Sequence, residues 1–319
     1  MSNVSNLEAV EGEQVIIGAP AVPARSGRRA RISAGAVLRY LFLSLGAVVM
    51  VVPFIDMMLG SLRSVPDRLS RPSVFLPAHP QWQNFAHVFQ DLPMLRWMTN
   101  SLIVTVSITI IQLITSAAAG YALAKFRFKG RDLVLRCVLV AQMFPFFLIL
   151  IPMFFILRFW PLAGGNSLLG QGGTGFLSSY LGLILPFCVS WYGIFMMRQF
   201  MLSIPDELLD AARVDGAGEF RIFFTIVLPL AKTALATLSI FVFIYQWNEV
   251  IWTLTATRIA PNLQTVPVGI FLIRQAFTDE RTFSLQQASL VVSVVPVLIL
   301  FLLLQRFYVR GVTAGAVKG

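Results

Sequence analysis

The chain has 319 residues, 57% of them hydrophobic and only 13% charged, with a mean hydropathy of +0.77 and a net charge of +10. A soluble domain carries about a quarter charged residues, so a single soluble core is excluded and a polytopic membrane protein is the default. In so apolar a chain the positive charge reads as basic residues gathered in cytoplasmic loops, not as a nucleic-acid surface. Cys137 and Cys188 lie in apolar runs, which indicates neither a disulfide framework nor a zinc site.

Residues 1–36 are polar, acidic at Glu8, Glu11 and Glu13 and basic at Arg25, Arg28, Arg29 and Arg31. Gly, Ala and Pro between Gly18 and Ala24 predict a flexible tail. No early apolar core with a small-residue cleavage site follows, so the run from Val37 to Gly60 reads as an uncleaved span and not as a signal peptide. A charge-poor stretch of about twenty residues can cross the hydrocarbon core as a helix. That measure predicts six spans, at about 37–60, 98–124, 135–157, 178–197, 230–253 and 284–305. With the N-terminus inside, seventeen of the twenty-five Lys and Arg residues fall on the cytoplasmic side, which predicts that both termini are cytoplasmic. Asn3-Val4-Ser5 fits a glycosylation sequon, but a cytoplasmic tail would not be glycosylated. His79 and His87 sit in the outer loop between spans one and two with no clustered ligands and read as surface residues. The run from Gly164 to Gly175 has no lysine and reads as a flexible outer connector, not a phosphate loop.

Between the fourth and fifth spans lies the most polar internal stretch, Ser203 to Leu230. Ser203 and Asp206 stand at capping-box spacing, with Pro205 in the opening turn, so a helix can start there. Leu208, Leu209 and Ala212 give it one apolar face, with Glu207, Asp210 and Arg213 around them. Gly216 and Gly218 end that helix, and a second one can run from Glu219 through Thr225 toward Pro229. The prediction is a compact cytoplasmic knob and not a span. Glu207, Asp210, Arg213 and Asp215 are either docking charges or the solvated face of a loop helix, and charge alone favours the solvated face.

Asp210-Ala211-Ala212, three residues, Gly216, nine residues, Ile226, one residue, and Leu228-Pro229 resemble the EAA loop of ABC importer permeases at every spacing. Asp210 stands where that family usually has Glu. The resemblance shifts the balance to docking: it implies a coupling helix, with Glu207, Asp210, Ala211, Ala212, Arg213, Asp215 and Gly216 presented to a separate ATPase subunit. It extends through Asn100 to Val104, Ala122 to Gly130, Gln142 to Pro145, Trp247-Asn248-Glu249, and the tail from Gly311 to Gly319. Those segments, in order over about 37–319, are similar to the MalG-type subunit of carbohydrate importers.

The fold implied is an all-α polytopic membrane protein of the MetI/MalG-like permease type. The partners implied are a MalF-like second permease subunit, two ATPase subunits and an extracytoplasmic solute-binding protein. ATP and Mg would be bound on the ATPase subunits, and no cofactor on this chain, which has no GxxxxGK[ST] loop. Nor does it contain HExxH or GxSxG, so enzyme readings fare poorly. By resemblance the outer loop at about 254–283 meets the binding protein. An ion-gradient-driven carrier is the rival reading and calls for mid-membrane charges or inverted repeats of broken helices. A scaffold or sensor that keeps the knob is a third.

Glu249 and Asp56 are the carboxylates inside predicted spans, near their outer ends; each is either an acid reaching interfacial water or part of an outer gate. Tyr245, Gln246 and Asn248 could line a sugar path with Glu249, since hydroxyl-rich ligands need donors, acceptors and aromatic faces. At helical spacing they do not all face one way. Pro145, Pro152, Pro186 and Pro296 fall within spans, where proline either kinks a helix or is simply tolerated.

Overall fold

A backbone inside hydrocarbon must close its own hydrogen bonds, so a chain this apolar is expected to be helical wherever it crosses. The computed structural model describes residues 34–69, 76–276 and 280–316, all of it helix, turn or loop without a strand among the described residues. The polar tail to residue 33, with the sequon, and the last three residues lie outside that range, as does part of the outer loop at 277–279.

The chain divides into two compact units, to Val51 and from Val52. The first holds the leading part of α1 (Ala34–Leu62), apolar and exposed along its length. The second holds everything else. At the end of α1, Asp56 accepts from Arg63 at 3.0 Å, so this acid, expected inside the first span, is paired locally. A short α2 (Val65–Leu69) and α3 (Gln83–Gln90) follow. His87 faces Asp91 at 3.2 Å, and no group of three or more potential metal ligands occurs among the described residues.

The central element is α4 (Met94–Lys125), an unbroken helix of 32 residues. At 1.5 Å per residue it is about 48 Å long, more than the hydrocarbon core requires. Its interior face carries small and polar side chains, including Ser101, Thr105, Thr109, Gln112, Ser116 and Gly120, all buried. Membrane helices approach closely where side chains are small. Gly120 lies so near α8 that a Cβ there would stand 2.8 Å from Met197 Cβ, and one on Gly193 would strike Ser116 Oγ.

The next three predicted spans are not continuous. The third is α5 (Arg131–Ala141) and α6 (Phe146–Arg158), meeting at 103°. The fourth is α7 (Tyr180–Ile184), extended by a 3-10 turn to Phe187, and then α8 (Trp191–Leu202), bent by 46°. Pro145 and Pro186 lie at or beside these breaks, whereas Pro152 and Pro296 sit inside unbroken helices. Proline therefore kinks two of these elements and is merely tolerated in the other two. The carbonyls freed at the second break are not orphaned: Gln112 Nε2 donates to Phe187 O at 2.6 Å and Thr115 Oγ1 to Cys188 O at 3.0 Å. Side chains of α4 thus satisfy a neighbour's broken backbone.

The glycine-rich run is a correction to the sequence reading: it is a tightly folded loop, not a loose connector. Buried Asn166 donates to the carbonyls of Arg158 and Trp160, both at 2.9 Å, and accepts from Gly173 N at 2.9 Å. Gly164 and Gly175 have φ of +54° and +61°, and a Cβ on either would collide with the backbone across the loop. The glycines are there for close approach.

Beyond α8 come α9 (Asp206–Val214) and α10 (Glu219–Ile222), a π-helical turn at Phe223–Val227, and α11 (Leu228–Leu230). The fifth apolar stretch is α12 (Lys232–Trp247), at 76° to the helical run before it, and then α13 (Ile251–Ala256) after a break. α14 (Val266–Ala276) packs through Val266, Ile270 and Ile273 on Val88, Met94, Trp97 and Ala288. α15 (Glu280–Ala316) completes the chain and contains the last long apolar stretch, Thr282–Arg306.

Candidate functional site: the polar knob

The knob is anchored from beneath. Leu209 is buried in the main core with Ile204, Met201 and Ile222, and Ala212 and Ala217 pack partly against it. Glu207, Asp210, Ala211, Arg213, Asp215 and Gly216 are exposed, and Ala212 is half-buried. The structure therefore brings the predicted coupling residues onto one short helix and its end, with Leu209 as the apolar root.

Capping at the start of α9 differs from the sequence expectation. Ser203 Oγ donates back to Phe200 O at 2.7 Å and ends α8, so it caps nothing in α9. Pro205 occupies the N-cap position with extended backbone and no side-chain cap bond. Asp206 instead meets Lys125 Nζ at 2.6 Å, and that ammonium also donates to Ile204 O at 2.5 Å. The Lys125 side chain is only 5% exposed, so the tie is fixed at its α4 end. The lysine holds the Asp206 carboxyl below its usual pKa, first through the hydrogen bond and then through its charge.

The far end of α9 follows the sequence closely. Gly216 has φ of +80°. Its N–H donates to Arg213 O, and Ala217 N–H donates to Ala212 O, each at 3.0 Å. Those paired bonds form a Schellman motif, which puts a residue in the left-handed region and favours glycine there. Gly218 has an ordinary extended backbone, so its glycine identity is not forced.

Asp210 reaches no buried partner. Its Oδ1 accepts from Arg213 Nη1 at 2.7 Å, Arg213 Nε donates to Glu219 Oε1 at 2.7 Å, and Glu219 Oε2 accepts from Tyr121 Oη at 3.0 Å. A four-member chain thus runs from the knob's outer face to α4. Two carboxylates hold the Arg213 guanidinium firmly charged, Glu219 contributing first. Asp210 is short, and at i,i+3 spacing it braces the knob's own arginine.

Two residues escaped the sequence reading. Val214 is 87% exposed and Phe220 is 84% exposed, one on each side of the glycine bend. Both are open to contact, and Phe220 lies at the start of Glu219–Leu230, which together with α12 is long and apolar enough to form a bent span.

The residues predicted to line a path do not form one surface. Gln246 is buried and Tyr245 is exposed, and Asn248 Nδ2 donates to Ile244 O at 2.7 Å within its own helix. Glu249 lies at the break before α13. Both its oxygens are engaged: Oε1 accepts from Trp252 N at 2.7 Å, and Oε2 from Thr253 N at 3.0 Å and Thr253 Oγ1 at 2.7 Å. This is a carboxylate at a helix N-terminus, satisfying orphan N–H groups.

At the opposite end of α4 from the knob, a cleft of about 820 Å³ is lined by Arg96, Thr99, Asn100, Tyr180 and Asn262 among others. Asn100 is buried there and fully used. Its Nδ2 donates to the carbonyls of Asn262 and Gln264, both at 2.8 Å, and its Oδ1 accepts from Tyr180 Oη at 2.6 Å.

The chain is similar to known proteins over most of its length. Residues 112–314 match the family described as binding-protein-dependent transport system inner membrane component. The arabinooligosaccharides transport system permease protein AraQ of Halalkalibacterium halodurans is 31% identical, over 86% of this chain and 93% of its own length. The diacetylchitobiose uptake system permease protein NgcG of Streptomyces coelicolor is 30% identical, over 89% of each chain. The sn-glycerol-3-phosphate transport system permease protein UgpE of Yersinia pestis is 29% identical, over 85% of this chain and 94% of its own. One chain of a crystal structure of a bacterial ABC transporter that imports the acidic polysaccharide alginate has the same fold, with a TM-score of 0.71 at 24% identity over 86% of this chain and 96% of that one. A matched region of that extent, on a chain of long apolar helices, makes this a multi-pass membrane protein that belongs to the family of binding-protein-dependent transport system inner membrane components.

Proposed function

We propose that this chain is one permease subunit of an ABC importer for a sugar or oligosaccharide, and that the knob at 206–222 receives the ATPase stroke. The observation that carries the substrate class is the near-full-length relatedness to permeases named for arabinooligosaccharide and diacetylchitobiose uptake. A polyol phosphate is the second candidate substrate, given the sn-glycerol-3-phosphate relative. The knob's shape supports the coupling role. A docked lever needs a rigid root and a free surface; Leu209 supplies the root, and Glu207, Asp210, Val214 and Phe220 the surface.

The chain works with an ATPase subunit and a solute-binding protein, beside a second permease subunit, and both its termini face the cytoplasm. The energy comes from ATP bound with Mg on the ATPase subunits. ATP binding there swings the knob, and the helices attached to it alternate the access of a central cavity. The outer stretch at about 254–283 faces the binding protein. Much of it is α14, packed in the core, so its contacts are better tested by surface substitution than by deletion.

The test is the double substitution Val214→Asp and Phe220→Asp in the full transporter. Both side chains are exposed, so the chain should still reach the membrane and keep its thermal midpoint. Retention of the ATPase subunit on purification should fall at least tenfold. Full retention with full binding-protein-stimulated ATPase in proteoliposomes would remove the knob from the coupling interface.

A further inference from the structure

We propose that α4 is the strut that links the outer face of the transporter to the knob, with Asn100 and Tyr121 as the positioning residues at its two ends. The proposal rests on the coupling role given to the knob above.

Three observations carry it. First, α4 is unbroken where its neighbours are not. Of the two long apolar helices that run without a break within the second unit among the described residues, it is the substantially buried one, 39% of its most apolar window against 11% for α15. The other candidate spans are bent by 46° to 103° and would absorb a push at their breaks.

Second, α4 is tied to a different element at each level. At the outer end, Asn100 binds the turn at 262–264 and Tyr180, and Ser101 Oγ accepts from Val266 N at 2.9 Å. Midway, Gln112 and Thr115 hold the broken backbone at Phe187 and Cys188. At the inner end, Tyr121 holds Glu219 on one side of the knob and Lys125 holds Asp206 and Ile204 on the other.

Third, the spacing suits a membrane. Asn100 and Tyr121 are twenty-one residues apart, which is about 32 Å of helix, close to the hydrocarbon thickness. The two ties therefore lie near opposite faces of the bilayer. A displacement of the outer turn, such as docking of a binding protein would cause, is passed to both flanks of the knob through one rigid element. Coupling can be carried by rigid elements with packed and hydrogen-bonded contacts, and α4 is such an element.

The experiment uses the whole transporter in proteoliposomes, with ATPase measured with and without substrate-loaded binding protein. Tyr121→Phe removes one hydroxyl and keeps the ring against Phe126 and Phe223, at 5.3 and 5.6 Å between centroids. Asn100→Leu removes the outer tie at similar volume. Each variant should still purify with the ATPase subunit, while the stimulation ratio falls about fivefold in Tyr121→Phe, as loss of one hydrogen bond worth about 1 kcal/mol implies, and at least as far in Asn100→Leu, which loses three. The double variant should be no worse than the more affected single one, since both interrupt one link. If Asn100→Leu does not fold, Tyr121→Phe alone decides. Stimulation within twofold of native in Tyr121→Phe, or independent multiplication of the two effects, would overturn the strut. Loss of stimulation only together with loss of the ATPase subunit would overturn it as well, since the residues would then act on assembly. If the native chain itself never holds an ATPase subunit, the coupling role fails first and the strut with it.

Discussion

Replacing Gly216 by alanine tests the knob at its most constrained point. The residue sits at φ +80°, and a Cβ added there meets nothing within 4 Å. No clash contributes, so the cost is the backbone preference alone, about 1–2 kcal/mol for an L-residue held left-handed. That cost falls on the two terminal hydrogen bonds, Gly216 N to Arg213 O and Ala217 N to Ala212 O. Local opening of α9 should therefore become about 5–30-fold more frequent. Gly218→Ala is the matched control: it also has open space around it, but φ is −71° and alanine adopts that freely. Gly216→Pro should be worse than alanine, because it also deletes the N–H that bonds Arg213. The assay is hydrogen exchange of peptides covering 206–219 in lipid nanodiscs, read beside ATPase co-purification. Equal protection in Gly216→Ala and Gly218→Ala would refute the Schellman assignment and the rigidity attributed to the knob.

Gly120→Ala should force α4 from α8, because its Cβ would stand 2.8 Å from Met197 Cβ and Arg198 N; about 1–3 kcal/mol is expected for overpacking, checked by thermal midpoint in detergent. Glu249→Ala should cost about 1 kcal/mol through loss of the N-terminal bonds of α13, with the same proportional loss of transport for every substrate tried; a loss confined to one sugar would restore Glu249 to the path. The Asp206 pKa is depressed in the folded state, so the stability it confers is complete above the ordinary carboxylate value and is lost as pH falls through the lower, folded value. Native protein should accordingly exceed Asp206→Asn in thermal midpoint at neutral pH, and the difference should close in strong acid; a difference independent of pH would mean that the tie to Lys125 does not act through charge.

Much of the knob could be read from sequence because its determinants are local. A glycine after a short amphipathic helix implies a left-handed end, and Gly216 has one. Of the apolar face read at Leu208, Leu209 and Ala212, Leu209 is buried and Ala212 half-buried, whereas Leu208 is exposed. What Asp210 binds was not legible, since Arg213, Glu219 and Tyr121 are joined only once α4 runs alongside. Ser203 misled for a related reason: its hydroxyl had two backbone ends in reach, and it took the carbonyl at Phe200.

Apolar composition and continuous apolar runs of about twenty residues place this chain in a membrane as helices, because hydrocarbon admits only helices or closed barrels and a barrel strand shows a shorter, alternating pattern. The spacing of the polar stretch determines the knob. Hydropathy averages over a window and is blind to direction, so it could not show that three of the apolar stretches bend. At one of those bends, between α7 and α8, Gln112 and Thr115 of α4, distant in sequence, cover the carbonyls of Phe187 and Cys188. Glycines that look flexible in sequence are, at Gly164, Gly170, Gly173 and Gly175, points of close backbone approach, since absence of a Cβ permits contact as readily as motion. Which polar group meets which is decided by long-range packing, and only the tertiary structure holds that information.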